Sequence, residues 1–119
     1  MLFRSAAALA LSQVGNKAKD AWPAIKDAYQ DADNGVRNQV IRLAGRLGKD
    51  QKEAVTLLAE AAQKDANLEN RLAAVQELGQ LETAAVDALP TLTRLATEDV
   101  RASVREAAQA AARKIKGEP

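Results

Sequence analysis

The chain has 119 residues, 47% apolar and 28% charged, with a net charge of +1, no cysteine, no histidine, and three aromatic residues, Phe3, Trp22 and Tyr29. One domain's worth of chain with balanced charge argues against disorder and against a nonspecific electrostatic grip on nucleic acid or anionic lipid. Lack of cysteine and histidine excludes disulfides and thiolate chemistry and removes the commonest metal ligand and near-neutral general base.

Alanine and leucine replace the missing aromatics, which favours packed helices over strands. The first element reads as a helix over 3–14, within MLFRSAAALALSQVG. With Arg4 before the run Ala6 to Leu11 it faintly resembles a signal peptide, but that run is shorter than the usual apolar region and the segment is expected to be a helix of the fold; no run approaches the ~20 residues of a membrane span. Gly15 follows, where a helix C-cap is expected. The second helix is expected over 19–31, with Asp20 as N-cap and Pro23 in the first turn, where its missing N–H has no intrahelical partner. The third spans 36–47 and is closed by Gly48; the fourth spans 52–64; the fifth spans 69–81. The sixth is expected over 86–98, with Asp87 three residues before Pro90, and the seventh over 103–116.

These elements repeat. Arg4, Arg37, Arg71 and Arg105 open alternate helices at separations of 33, 34 and 34. Three, seven and ten residues after each arginine the chain is apolar: Val40, Ala44 and Leu47 in one copy, Ala74, Leu78 and Leu81 in the next. Those offsets trace one face of a helix of period near 3.6. Eighteen residues after the first three arginines come Trp22, Val55 and Leu89, and six residues before the last three stand Asp31, Asp65 and Asp99. Each unit is therefore helix, turn, helix. The register gives a half repeat over 1–15 and repeats over 16–48, 49–82 and 83–117, one array along the whole chain. A lone pair of helices cannot bury its apolar stripe, but stacked pairs share a continuous core.

Pro–x–Ile/Leu in the first helix, Asp in the turn, Val-Arg opening the second helix and Leu-Gly closing it resemble HEAT repeats. The short bacterial variety, as in phycobilin-lyase-type proteins, is the nearest in pattern. AWPAIKDAYQDADNGVRNQVIRLAGRLG and ALPTLTRLATEDVRASVREAAQAAARKI carry the resemblance most strongly. The middle unit departs from it: Thr56 replaces proline, Asn70 replaces valine, and Gly79 comes early, with Glu82 where glycine is usual. The resemblance implies an all-α solenoid of about three and a half repeats, seven helices in a right-handed superhelix. It also implies that Asp31, Asp65 and Asp99 meet Arg37, Arg71 and Arg105 in a structural ladder, for which a planar, multi-donor guanidinium is suited.

No catalytic constellation is present, no glycine grouping makes a phosphate loop, and no cofactor is expected. The chain reads as a non-enzymatic scaffold that binds another protein or a peptide on the concave face lined by the second helices. Offsets +1, +2, +5 and +9 from each arginine should point away from the core. They place Asn38, Gln39, Arg42 and Arg46 on one helix, Leu72, Ala73, Gln76 and Gln80 on the next, and Glu106, Ala107, Ala110 and Lys114 on the last. Asn38, Gln39, Arg42, Arg46, Gln76 and Gln80 are the expected partner-binding residues. A nucleic-acid-binding module is the alternative, resting on the same arginines with Lys114 and Lys116, against which stand the near-neutral charge and the lack of interleaved aromatics. A lyase or chaperone-like subunit for a bilin is a further alternative implied by the family alone. The helix at 3–14 is apolar nearly all round. Leu2, Phe3, Leu9 and Leu11 are therefore expected to meet a second copy or a preceding repeat of a longer array.

Overall fold

The computed structural model describes residues 18–119, with side chains from Trp22 onward. The helix expected at 3–14 lies outside these residues, as do Arg4, Gly15 and the expected self-association residues Leu2, Phe3, Leu9 and Leu11. The described part is all-helical: α1 (Ala18–Tyr29), α2 (Asn34–Leu47), α3 (Lys52–Lys64), α4 (Leu68–Gln80), a 3₁₀ segment (Glu82–Ala88), α5 (Leu89–Glu98) and α6 (Ala102–Lys116).

Each helix forms because its apolar residues recur at helical spacing and its ends are satisfied. In α2 the buried stripe is Val36, Val40, Leu43 and Ala44. In α6 it is Val104, Ala108, Ala111, Ala112 and Ile115. The Asp33 carboxylate caps α2 by accepting from the Val36 N–H at 3.0 Å, and the Asn67 amide caps α4 by accepting from the Asn70 N–H at 3.0 Å. Arg101 occupies the same place before α6 and offers no side-chain cap. Gly117 closes α6 in the left-handed region, at φ +73°.

Two expected helix starts differ in the structure. Helix α1 begins at Ala18, so Asp20 lies inside it and Pro23 in its second turn. The expected helix at 86–98 becomes α-helical only at Leu89. Pro90 has no N–H to give the Val86 carbonyl; the Leu89 N–H takes that carbonyl instead, three residues back, in 3₁₀ fashion. Asp87 accordingly sits exposed in the 3₁₀ segment, and Ala88 is the residue that precedes α5.

Helices α2, α4 and α6 pack side by side as one layer; α3, the 3₁₀ segment and α5 lie behind α4 and α6, and α1 lies behind α2. Ile25, Ile41, Leu58, Val75, Leu78, Leu92 and Val104 fill the space between the layers and are fully buried. At about 1.5–3 kcal/mol for each large aliphatic side chain, this seam is the main source of stability.

Candidate functional site

The turn between the paired helices has the same chemistry three times. Oδ1 of Asp31, Asp65 and Asp99 accepts the backbone N–H two residues on, at 2.8, 2.9 and 2.9 Å. Nη1 of Arg37, Arg71 and Arg105 donates to the backbone carbonyl of that same aspartate, at 3.0, 2.8 and 2.7 Å. Within a repeat the arginine therefore meets the aspartate's main chain, and the carboxylate and guanidinium hold the turn from opposite sides.

The carboxylate contact crosses between repeats. Arg37 Nε and Nη2 donate to Asp65 Oδ2 and Oδ1, each at 3.1 Å. Arg71 makes no corresponding ion pair with Asp99; among the described residues the ion pairs are Arg37–Asp65 and Arg42–Glu77. Asp65 collects further donors: the Tyr29 hydroxyl at 2.7 Å and the Asn70 amide at 3.4 Å. Asn70, buried where its counterparts are Val36 and Val104, also donates to the Asn34 carbonyl at 3.1 Å and accepts from the Asn38 amide at 3.0 Å. Its polarity thus joins two repeats. Burial raises the Asp65 pKa, but the Arg37 guanidinium, the Asn67 N–H and the Tyr29 hydroxyl outweigh it and hold the carboxyl below its ordinary value. Burial, then the bond to Asp65 and its charge, push the Tyr29 phenol well above its ordinary value. The bond to Asp65 raises Arg37. This buried polar knot is architectural: every group in it is turned toward another group of the chain.

The exposed face of the second-helix layer is different. Two of the expected partner-binding residues are engaged by the next repeat: Asn38 by Asn70, and Arg42 by Glu77 at 2.8 Å. Gln39, Arg46, Gln76 and Gln80 are exposed and make no hydrogen bond or ion pair with the described residues. Ala73, expected on this face, is buried. Helix α4 is flanked by both α2 and α6, and Ala73 is covered between them.

Between α4 and α6 the layer dips into a groove rimmed by Gln76, Gln80 and Lys114. Its floor is Gly79 against Ala111, so close that a Cβ on Gly79 would stand 3.1 Å from both Cα and Cβ of Ala111. Gly79 repeats Gly45, 34 residues earlier, rather than being a displaced Gly48. A Cβ on Gly45 would run into the Glu77 side chain, the one that holds Arg42. Gly48 has an ordinary helical φ of −63° and is small because Leu81 packs onto it. The site residues that sequence reasoning passed over are Tyr29 and Glu77. Lys114, expected on the outward face at the +9 offset of the last arginine, rims the groove with Gln76 and Gln80.

Among the described residues no group of three histidine, cysteine, aspartate or glutamate side chains could hold a metal ion, and no helix is long and apolar enough to cross a membrane. The family model described as HEAT repeats matches residues 2–78 and again 23–113. The chain belongs to the HEAT-repeat family. No curated protein and no solved structure matches it. HEAT repeats are in general protein-interaction scaffolds.

Proposed function

We propose that this HEAT-repeat chain binds a partner protein across the face formed by α2, α4 and α6, through Gln39, Arg46, Gln76 and Gln80 with Lys114. The observation that supports this reading is the contrast within one layer. Asn38 and Arg42 are spent on neighbouring repeats, while the side chains of the amides and cations beside them have no partner among the described residues. Uncommitted amides can pair with a partner's backbone or side chains at little desolvation cost, and Arg46 and Lys114 favour a segment that carries carboxylates. The shallow floor at Gly79 and Ala111 lets that segment approach the backbone of the layer.

Capture of proteins from the native source by the unmodified chain and by an Arg46→Glu, Gln80→Glu variant tests this. Both positions are exposed, so the urea midpoint is expected to stay within about 0.5 kcal/mol of the original. Loss of the captured protein at unchanged stability is the expected result. Equal capture by both chains refutes the reading. Arg42 is not a suitable target, because a glutamate there would face Glu77 and change the packing of α2 on α4.

A further inference from the structure

We propose that the groove between α1 and α3, on the first-helix side of the molecule, receives a single arginine side chain from a partner protein. The groove has a volume of about 170 Å³. Small-molecule pockets run to about 300–1,000 Å³, whereas this volume, about that of five or six waters at ~30 Å³ each, suits one long side chain.

Its walls are chemically distinct. Trp22 and Tyr29, the only tryptophan and the only tyrosine in the sequence, stand seven residues apart on one face of α1, with Leu57 of α3 completing the apolar lining. The Tyr29 hydroxyl is already committed to Asp65, so what the groove offers is a ring held at a fixed tilt. Glu53 and Glu60 of α3 line the other side; both are exposed and neither is in an ion pair with another described residue. Among the described residues Lys26 is the cation lining the groove, against the two carboxylates of Glu53 and Glu60. Phosphate-bearing ligands are repelled by such a rim, whereas a guanidinium stacks on aromatic faces while its fork of donors meets a carboxylate.

Gln63 and Arg94 stand at the positions of Gln30 and Glu60, one repeat on. There the Arg94 guanidinium reaches across between α5 and α3 and donates to the Gln63 side-chain oxygen. An arginine of the chain itself thus bridges those two helices, and Val55 and Ala62, both buried, stand at the positions of the two aromatics. In the α1–α3 groove the arginine position holds Glu60 instead. An acid where the next repeat has its own guanidinium, across from the half-buried Tyr29 ring and the edge of the buried Trp22, is the complement of an incoming arginine.

The test uses a neutral alanine–glutamine helical peptide carrying one arginine, and the same peptide with citrulline, which keeps the shape and loses the charge. The readout is the indole N–H of Trp22, a single signal in a ¹H–¹⁵N spectrum because there is one tryptophan. The arginine peptide is expected to shift that signal saturably. Citrulline or Glu60→Gln should weaken binding at least about tenfold, and Glu53→Gln less, since charge-assisted bonds are roughly twice as strong as neutral ones. Lys26→Ala should tighten binding, because it removes a like charge. The substituted side chains are exposed, so folding is expected to be unaffected. An unmoved Trp22 signal up to millimolar peptide overturns the proposal, as does equal binding by the citrulline peptide or by Glu60→Gln. A response confined to the side-chain amides of Gln76 and Gln80 overturns it too, and leaves the second-helix reading intact.

Discussion

Arg37 and Asp65 are joined across two repeats by a pair of 3.1 Å hydrogen bonds, with 12% of the arginine side chain and 0% of the aspartate side chain exposed. Arg71, in the same register position, holds only the carbonyl of its own turn. Removing Arg37 leaves a buried carboxylate without its counter-charge. Arg37→Ala is expected to cost on the order of 3 kcal/mol, the lower end for breaking a buried pair. Arg71→Ala should cost about 1–2 kcal/mol, the loss of one charged donor to a carbonyl. Urea unfolding of the two variants checks this, and equal midpoints would show that the inter-repeat pair adds nothing to the turn contact.

The same carboxylate makes stability depend on pH at both extremes. The Asp65 pKa is lowered in the folded chain, so its contribution is present above about pH 4 and is lost as pH falls through the folded value. The Tyr29 pKa is raised above its usual 10, so its contribution is complete below pH 10 and is lost as pH rises beyond it. With a single tyrosine, absorbance at the tyrosinate band reports this residue alone. Ionisation is expected well above pH 10 and together with unfolding. Tyr29→Phe should cost about 1.5–3 kcal/mol at neutral pH, as for a bond to a charged acceptor, and should remove the alkaline loss. A phenol that ionises near pH 10 while the helices persist would contradict the Asp65 contact.

The repeats could be read in the sequence because periodic features encode them: the arginine, the aspartate six residues before it, and the apolar offsets between. What could not be read was which neighbour each polar group meets. Arg37 and Asp65 are 28 residues apart, and only the stacking of one helix pair on the next brings them together. Asn70 reads as a departure from valine; its reason, a bridge to Asn34, Asn38 and Asp65, exists only once the repeats are stacked. Ala73 fails as a face residue for a similar reason, since the offset rule ignores the third helix of the layer. Gln39, Arg46, Gln76 and Gln80 needed no tertiary information, because a solvated face follows from helical spacing alone.

Glu82 has a φ of +53° at the residue beyond the cap of α4, where glycine is favoured. A side chain in that region costs roughly 1–2 kcal/mol, and glycine gives back about 0.5–1 through its freer unfolded chain. Glu82→Gly is therefore expected to raise stability by about 0.5–1 kcal/mol, and Glu82→Ala to give no such gain. Thermal unfolding of both variants is the measurement; an equal gain for alanine would assign the effect to charge rather than to backbone.

Gly79 and Ala111 set how closely α4 approaches α6, and so how near Gln76 and Gln80 stand to Lys114. An added Cβ at 3.1 Å from the Ala111 backbone is inside the ~3.5–4.0 Å separation at which carbon atoms attract, and a backbone atom cannot rotate away. In Gly79→Ala this clash opposes the helix propensity gained, about 0.5–1 kcal/mol, so the net change should be small. Gly79→Val adds more bulk without more propensity and is expected to cost about 1–3 kcal/mol as the helices are forced apart. If the contact is direct, Ala111→Gly should relieve part of the clash. The Gly79→Ala, Ala111→Gly double variant is then expected to be more stable than the sum of the single changes by at least about 0.5 kcal/mol. Urea midpoints of the four chains in that cycle give the coupling. Additivity within about 0.3 kcal/mol would mean that the two helices do not touch at this point, and the floor of the proposed binding face would have to lie elsewhere.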